Sequence, residues 1–130
     1  MRALIALTLL PLAAPAFAAG RHDPEARLAR VIGDRQPGAP VQCININPTT
    51  NSTTIDGVGI VYESGATAYL NRFDRGCPQL TSDSIIITRQ PTGQLCRGDI
   101  ADIQTSSPPS LPKGSCAFDA FVPYSKVKAK

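Results

Sequence analysis

The 130-residue chain contains no tryptophan, three tyrosines, four phenylalanines and a single histidine. The histidine, His22, lies close to the N-terminus, where side chains are rarely fixed in a pocket, so Ser-His-Asp and Cys-His catalysis are disfavoured. With so few aromatic side chains, the chain offers little surface on which the bases of single-stranded nucleic acid could stack. The net charge of +3 is small and dispersed. We therefore expect no nucleic-acid partner.

Several motifs of catalysis and metal binding are missing. No C-x-x-C occurs, which excludes thioredoxin-type redox centres and paired zinc knuckles. Gly57 and Gly59 are too sparse for a phosphate-binding loop. Asp99 and Asp102 would point to opposite faces of a strand, and a calcium cluster of these two with Asp119 lacks an EF-hand loop. The sequence predicts no catalytic residue, metal or cofactor.

No apolar run reaches the 20 or so residues that a membrane-spanning helix requires. The one apolar stretch, Ala3 to Leu12, follows Arg2 and precedes Ala16-Phe17-Ala18, the small-x-small pattern of a cleavage site. These three parts predict a signal peptide over residues 1–18, cleaved near Ala18. We expect a periplasmic or secreted protein without a transmembrane segment.

Four cysteines in an exported chain favour two disulfides. The cysteines are spaced by 34, 19 and 20 positions, and three ways of pairing them are open; they are Cys43, Cys77, Cys96 and Cys116.

The remaining chain divides into a helix with a linker over residues 19–40, a β-domain over residues 41–125 and a basic tail over residues 126–130. Asp23 as N-cap, Pro24 in the first turn and Gly33 as terminator predict a short helix. The linker follows from Asp34 to Pro40 and contains two prolines and a glycine.

Short β-patterns separated by glycine and proline turns fill the β-domain. They predict an all-β fold, a small antiparallel sandwich or partly closed barrel of five to six strands. Val58–Glu63 and Thr67–Phe73 should form a hairpin, and the three isoleucines of Ser84–Arg89 favour the centre of a sheet. Asn47–Thr54 and Thr105–Ser115 are predicted surface loops. The last predicted strand is Cys116–Tyr124, with one apolar face at period two.

Binding is the activity that these residues permit. The side chains with the best prospect of a contact surface are Tyr69, Arg72, Phe121 and Tyr124, and an envelope protein or glycan is the expected partner. The tripeptide Arg97-Gly98-Asp99 matches an adhesion signal, but Gly98 is better explained as the turn between two strand halves.

The segments "IDGVGIVYESGATAYLNR", "SIIITRQPTGQLCRGDI" and "FVPY" resemble a family of small exported proteins of sphingomonad-type alphaproteobacteria. Members of that family carry cysteines matching Cys43 and Cys96. The resemblance therefore implies the pairs Cys43–Cys96 and Cys77–Cys116, and it assigns no activity.

A weaker resemblance is to periplasmic lysozyme inhibitors, small disulfide-bonded barrels with an S-G-x-x-Y loop. Here Ser64-Gly65-Ala66-Thr67-Ala68-Tyr69 has one residue more, which turns the tyrosine to the other face of its strand. The leading hypothesis is a non-enzymatic periplasmic binding or envelope-accessory module, and the alternative is a proteinaceous inhibitor of a cell-wall hydrolase.

Overall fold

A computed structural model describes residues 23–128 of the chain. The predicted signal peptide and His22 lie outside these residues. One helix, α1 (Pro24–Ile32), precedes ten short strands in the described part. They are β1 (Gln36–Pro37), β2 (Cys43–Asn45), β3 (Asn51–Ile55), β4 (Gly59–Ser64), β5 (Thr67–Asn71), β6 (Ile85–Thr88), β7 (Gln94–Cys96), β8 (Ile100–Gln104), β9 (Pro112–Ala117) and β10 (Val122–Ser125).

The helix α1 begins and ends where the sequence predicts. The Asp23 side chain accepts a hydrogen bond from the Glu25 N–H at 3.0 Å, and Pro24 occupies the first turn. Gly33 ends the helix at φ +65°, and its N–H donates to the Ala29 carbonyl. Leu28 and Ile32 are buried, which places the apolar side of α1 against the sheet.

The strands form three sheets in which every pairing is antiparallel. The largest has five strands in the order β1-β10-β5-β4-β3, the second has the order β6-β8-β9, and β2 pairs with β7 alone. The predicted all-β, antiparallel fold with a short helix is confirmed. The sheets are open, so the fold is not a closed barrel.

Two apolar cores lie on opposite faces of the five-stranded sheet. One is shared with α1 and contains Leu28, Ile32, Ile55, Val61, Ala68 and Leu70. The other is shared by all three sheets and is built on Ile44, Ile60, Tyr62, Leu95, Ile103, Phe118 and Phe121. Strand β4 is therefore buried on both faces. The molecule thus has three layers: helix, five-stranded sheet, and the two smaller sheets.

Both disulfides expected from the family resemblance are present. Cys43 and Cys96 lie directly opposite each other on β2 and β7, with Cα atoms 4.0 Å apart. Cys77 joins the loop after β5 to Cys116 on β9. No cysteine is free. The first bridge holds the two-stranded sheet together, and the second connects the five-stranded region to the three-stranded sheet.

Three segments predicted as irregular are paired. Strand β3 overlaps the predicted loop Asn47–Thr54 in all but its last residue, because the tight turn at Asp56 to Val58 folds this polar segment back onto β4. Strand β9 begins in the predicted proline-rich loop, and its first four residues belong to it. Its first residue is Pro112, a position that needs no ladder donor. Strand β1 lies in the predicted linker and pairs with β10.

Two strand predictions are also wrong in detail. Strand β6 lies at the edge of its sheet rather than at the centre, and only one of its faces meets the core. The segment predicted as one strand, Cys116–Tyr124, is broken between β9 and β10. Phe118 and Phe121 lie in that break and are both buried, so the apolar residues do not follow a single period of two.

Candidate functional site

A shallow hollow of about 210 Å³ opens where three loops meet. These loops are the turn between β7 and β8, the break between β9 and β10, and the segment after β5. We call it the arginine hollow; its lining residues are Arg75, Arg97, Gly98, Ala117, Phe118 and Asp119. It brings two guanidinium groups and a carboxylate to one concave surface.

Arg97 and Gly98 of the Arg-Gly-Asp tripeptide line the arginine hollow. The Asp99 N–H donates to the Cys96 carbonyl at 3.1 Å, and Gly98 at φ +90° occupies the position that requires a positive φ in a type II turn. The Asp99 carboxylate accepts from the Cys96 N–H at 2.7 Å. Because the Asp99 carboxylate closes the turn, the tripeptide is a structural connection between β7 and β8. The sequence predicts such a turn at Gly98.

The turn is also fixed to its neighbours by main-chain hydrogen bonds. Gly98 N–H donates to the Phe118 carbonyl at 2.9 Å, and the Phe118 N–H donates to the Asp99 carbonyl at 2.9 Å. The Arg97 N–H donates to the Gln42 carbonyl at 2.7 Å. Together with the adjacent Cys43–Cys96 bridge, these bonds fix the main chain of Arg97 and therefore the point from which its side chain extends.

Asn71 holds the opposite wall in place. It is the one polar side chain among the fully buried residues of the described chain. Its Nδ2 donates to the Asp119 carbonyl at 2.7 Å, and its Oδ1 accepts from the Asp119 N–H at 3.2 Å. These two hydrogen bonds take the place of strand pairing in the break between β9 and β10. Asp119 therefore has a fixed main chain although it lies in a loop.

Asp119 is the charged centre of the arginine hollow. Its Oδ1 accepts from the Ala120 N–H at 2.8 Å and lies 3.3 Å from Arg97 Nε. The pKa of Asp119 is lowered, first by the hydrogen bond from Ala120 and then by a hydrogen bond with Asp74. The pKa of Asp74 is raised by that hydrogen bond and by the negative charge of Asp119. As the pH rises, Asp119 is therefore the member of the pair that loses its proton first.

Arg97 and Arg75 keep hydrogen-bonding capacity for a ligand. Arg97 is bound to Asp119 through Nε, and its two terminal nitrogens have no partner within residues 23–128. Its side chain is 58% exposed. Arg75 is exposed and forms no ion pair within the same residues. A planar guanidinium with both terminal amines open suits two-point binding of an anionic group.

The four residues predicted for a binding surface do not form one. Phe121 is fully buried in the larger core, because it packs edge-on against Tyr62 and stacks on Phe118. This corrects the expectation of an exposed Phe121. Tyr69 is partly buried against the same core. Tyr124 is partly buried against the core beneath α1, on the other face of the sheet.

Arg72 remains exposed but already has a partner. Its two terminal nitrogens donate to the Glu25 carboxylate at 2.9 and 3.2 Å. This bond lowers the pKa of Glu25 and raises that of Arg72. Both side chains are largely in water, where such a pair contributes at most ~1 kcal/mol. The pair joins α1 to the residue that follows β5.

The segment that resembles an inhibitory loop is a tight hairpin. Ser64 pairs with Thr67, so Gly65 and Ala66 alone form the turn. Gly65 has φ +60° at the first central position, as a type II′ turn requires. The Ala66 carbonyl accepts from Arg35 Nε. The hairpin predicted from the sequence is present, and its tip is too short to project from the sheet.

The structure does not assemble the calcium cluster considered from the sequence. In the described range, no three His, Cys, Asp or Glu side chains come together as metal ligands. Asp99 binds a main-chain N–H, Asp119 pairs with Arg97, and Asp102 lies on β8 opposite Ile87 and Ser115.

Sequence reasoning missed three of the residues that define the site: Asp74, Arg75 and Arg97 as a ligand group. Each lies within three positions of a cysteine, but the bridges join Cys96 to Cys43 and Cys77 to Cys116, so the disulfide pairs alone do not bring Arg97 to the other two. A second, larger hollow of about 320 Å³ is lined mainly by Ser and Pro of residues 105–109. Its one cation, Lys113, already donates to Thr81 and Ser84, so the arginine hollow is the better candidate.

The two disulfides should differ in their access to a thiol reductant. Cys43 is exposed and Cys96 partly exposed, whereas Cys77 and Cys116 are 8% and 6% exposed. Because exchange requires attack on an accessible sulfur, we expect mild dithiothreitol to open Cys43–Cys96 first. Differential alkylation followed by peptide mapping measures the order. Equal labelling of all four cysteines at every time point would contradict it.

Within residues 23–128, no helix has both the length and the apolarity needed to cross a membrane. The function of the chain is inferred from its own residues and their geometry. Comparisons with protein-family models, with curated proteins and with solved structures found no match.

Proposed function

We propose that this chain is a non-enzymatic binding domain of the cell envelope, and that the arginine hollow is its binding surface. The ligand would be an anionic group carried by an envelope protein or glycan. The observation that carries the proposal is the state of Arg97, which lines the hollow: its Nε lies 3.3 Å from the Asp119 carboxylate, and its two terminal nitrogens have no hydrogen-bond partner in the described chain.

The size of the hollow agrees with recognition of one group rather than of a whole small molecule. Ligand pockets for drug-sized molecules are typically ~300–1,000 Å³ and largely enclosed. The arginine hollow is smaller, at about 210 Å³, and open to solvent. A carboxylate or sulfate projecting from a larger partner would fit between Arg75 and Arg97.

The predicted export signal and the two disulfides support a location in the cell envelope. The predicted signal peptide implies an oxidising compartment, and two disulfides are what such a compartment permits. The bridges lie on either side of the hollow. A rigid rim reduces the ordering cost of binding, which favours a domain specialised in recognition.

Retention on charged polymers tests the proposal. We expect the purified chain to bind dextran sulfate or poly-glutamate but not neutral dextran. Arg97→Gln should weaken binding at least ~10-fold, because hydrogen bonds to charged groups contribute about 1.5–3 kcal/mol. Arg97→Lys keeps the positive charge but loses the planar guanidinium, so its affinity should lie between those of the wild type and Arg97→Gln.

Arg30→Gln is the matched control, since Arg30 is exposed on α1 and lies outside the hollow. It removes the same charge and should leave affinity within a factor of about two. Equal losses with Arg30→Gln and Arg97→Gln would mean that binding follows net charge alone. Failure of the chain to bind either polymer, and any envelope extract, would refute the proposal.

Binding should also depend on pH through Asp74. A proton taken up by Asp74, whose pKa is raised, removes one negative charge beside the hollow. We expect affinity for dextran sulfate, which stays ionised, to rise as the pH falls from 7 towards 4. Asp74→Asn should bind more tightly than the wild type at pH 7 and lose most of this dependence. An unchanged pH profile in that variant would contradict the assignment.

Stability should respond to the same pair with opposite signs. Because its folded pKa is raised, Asp74 favours the folded state at low pH and loses that contribution as the pH rises. Asp119, whose pKa is lowered, contributes above its ordinary pKa and loses that contribution as the pH falls. The melting temperature at pH 7 should therefore rise in Asp74→Asn and fall in Asp119→Asn.

The alternative of a cell-wall hydrolase inhibitor would depend on the Ser64–Tyr69 hairpin. The two-residue tip and the partial burial of Tyr69 give it no specific support. A lysozyme inhibition assay with Tyr69→Ala as the control distinguishes it from the binding proposal.

A further inference from the structure

The larger of the two hollows described above, about 320 Å³, lies at the other end of β8 from the arginine hollow. Its walls are residues 105–109 and Leu111 of the loop between β8 and β9, together with Asp83 and Lys113. Arg97 precedes β8 whereas this loop follows it, so the length of β8 separates the two hollows, which share no residue. We call the larger one the β8–β9 hollow.

A network of hydrogen bonds fixes the charged side chains of the β8–β9 hollow. The Lys113 ammonium donates to the hydroxyls of Thr81 and Ser84, each at 3.2 Å. The Thr81 hydroxyl donates its one hydrogen to Asp83 Oδ1 at 2.5 Å. The Ser84 hydroxyl lies 2.9 Å from that of Thr81 and therefore donates to it. Asp83 and Lys113 are thus joined through Thr81 rather than by a direct ion pair.

The loop that forms the other wall is held by bonds of its own. The Thr105 N–H donates to the Leu111 carbonyl at 2.9 Å, and the Leu111 N–H donates to the Thr105 hydroxyl at 3.0 Å. Pro108 and Pro109 restrict the main chain between these two residues. Because both walls are already ordered, the entropic cost of binding a ligand between them is reduced.

Four polar groups of the hollow keep hydrogen-bonding capacity. Lys113 donates two of its three N–H groups, which leaves one. Asp83 Oδ2 bonds to no other residue of the described chain, and the hydrogen bond from Thr81 lowers the pKa of Asp83, which favours the ionised acceptor. The side chains of Ser106 and Ser107 are exposed, and their hydroxyls have no partner within residues 23–128. The hollow therefore offers a charged donor, a charged acceptor and two hydroxyls.

Apolar surface lies beside these polar groups. Leu111 is 56% exposed, and Pro108 and Pro109 are exposed and line the same hollow. Because Asp83 and Lys113 have opposite charges, an ion of either sign is attracted by one of them and repelled by the other. The hollow suits an uncharged ligand that has both apolar surface and hydrogen-bonding groups.

We propose that the β8–β9 hollow binds an N-acetylated amino sugar of an envelope glycan. The acetamido group of such a sugar has an N–H, a carbonyl and a methyl group. The Asp83 carboxylate accepts from the N–H, Lys113 donates to the carbonyl, and the methyl group packs on Leu111. The ring hydroxyls, which both donate and accept, bond to Ser106 and Ser107. This site is separate from the arginine hollow and does not depend on the function proposed for it.

Other uncharged ligands match the hollow less well. A sugar without an acetamido group has hydroxyls but no methyl group to cover Leu111. A peptide has amides that could bond to Asp83 and Lys113, but it lacks the ring hydroxyls that match Ser106 and Ser107. Both classes therefore serve as comparison ligands.

An NMR titration of the main-chain amides tests the site, because the signals of Asp83, Ser106, Ser107 and Lys113 report on it individually. We expect tri-N-acetylchitotriose to shift these signals in a saturable way. Maltotriose, which has pyranose rings without acetamido groups, should shift them little.

Asp83→Asn is the most selective substitution. It keeps an oxygen for the Thr81 hydroxyl but replaces the free acceptor of Asp83 by a donor. It should raise the Kd for tri-N-acetylchitotriose at least ~10-fold, because a hydrogen bond to a charged group is lost. Asp34→Asn is the matched control, since Asp34 is exposed and lies outside the hollow. It removes the same charge and should leave the Kd unchanged.

Leu111→Ala keeps the test independent of the turn that contains Asp83. It shortens an exposed loop side chain and should weaken binding ~3–10-fold through lost apolar contact. A Kd that is unchanged in both Leu111→Ala and a folded Asp83→Asn variant would overturn the proposal.

Two further results would also overturn it. One is the absence of any saturable shift in the wild type at tens of millimolar tri-N-acetylchitotriose. The other is equally tight binding of N-acetylalanine methylamide, which would show that the hollow recognises an amide alone. Arg97→Gln should leave sugar binding unchanged, so this test and the dextran sulfate test of the arginine hollow can fail independently.

Discussion

Gly59→Ala is expected to destabilise the chain by about 4 kcal/mol or more, enough to leave much of it unfolded. A Cβ at position 59 would overlap the Asn71 carbonyl oxygen and lie 2.9 Å from its carbonyl carbon. Both atoms are main chain of the adjacent strand β5, and they cannot move aside as a side chain could. Gly59 is also buried and has φ +155°, a conformation that alanine rarely adopts.

Gly57→Ala is the control for backbone conformation. Gly57 lies in the same turn at φ +66°, and a Cβ there would meet no atom within 4 Å. Its expected loss is about 1–2 kcal/mol, the strain of placing alanine in the left-handed region. Urea unfolding of the two variants separates steric overlap from φ strain. Similar losses in both would show that the close approach of β4 and β5 is not the reason for glycine at position 59.

Sequence reasoning succeeded where structure is decided locally. The helix α1 was predicted correctly because its cap, first-turn proline and terminating glycine all act within a few residues. The β4–β5 hairpin followed from Gly65, whose positive φ selects a two-residue turn. Each of these signals needs no information from elsewhere in the chain.

Strand positions failed where burial depends on distant segments. Strand β3 has only one apolar residue, Ile55, so it shows no alternating pattern. Its pairing with β4 follows from the turn between them rather than from its own composition. For β6 the sequence overestimates burial. Three consecutive isoleucines indicate a strand that is covered on both faces, whereas the fold covers only one.

The candidate site was out of reach for the same reason. Asp119 is 48 positions from Asn71 and is placed by its hydrogen bonds. Arg97 reaches it from a third loop, whose position depends on the Cys43–Cys96 bridge. No local pattern marks such a meeting of loops. The residues predicted instead, Tyr69, Phe121 and Tyr124, were chosen for size, and large apolar side chains in a small domain serve the core.

Asn71→Ala is the second substitution with a large expected effect, about 3 kcal/mol of lost stability. The alanine leaves the Asp119 N–H and carbonyl without their partners, and each unsatisfied group costs about 1–3 kcal/mol. It also truncates a fully buried side chain. Asn45→Ala is the control, because Asn45 is exposed on β2 and bonds only to Gln94; it should change stability by less than about 0.5 kcal/mol.

Asn71→Asp distinguishes the lost hydrogen bond from the lost volume. An ionised carboxylate still accepts from the Asp119 N–H, but it cannot donate to the Asp119 carbonyl. Burial and that carbonyl both favour the protonated form, so the pKa of the introduced carboxyl is raised in the folded state. Its folded form is then favoured at low pH and loses that advantage as the pH rises.

The stability deficit of Asn71→Asp relative to the wild type should therefore be smaller at pH 4 than at pH 7, whereas that of Asn71→Ala should not change with pH. Chemical denaturation at both pH values measures the two differences. If Asn71→Ala retains both wild-type stability and wild-type binding to dextran sulfate, Asn71 does not position Asp119. Loss of binding at a temperature where the variant is still folded would instead show that the clamp from Asn71 holds the arginine hollow in its binding geometry.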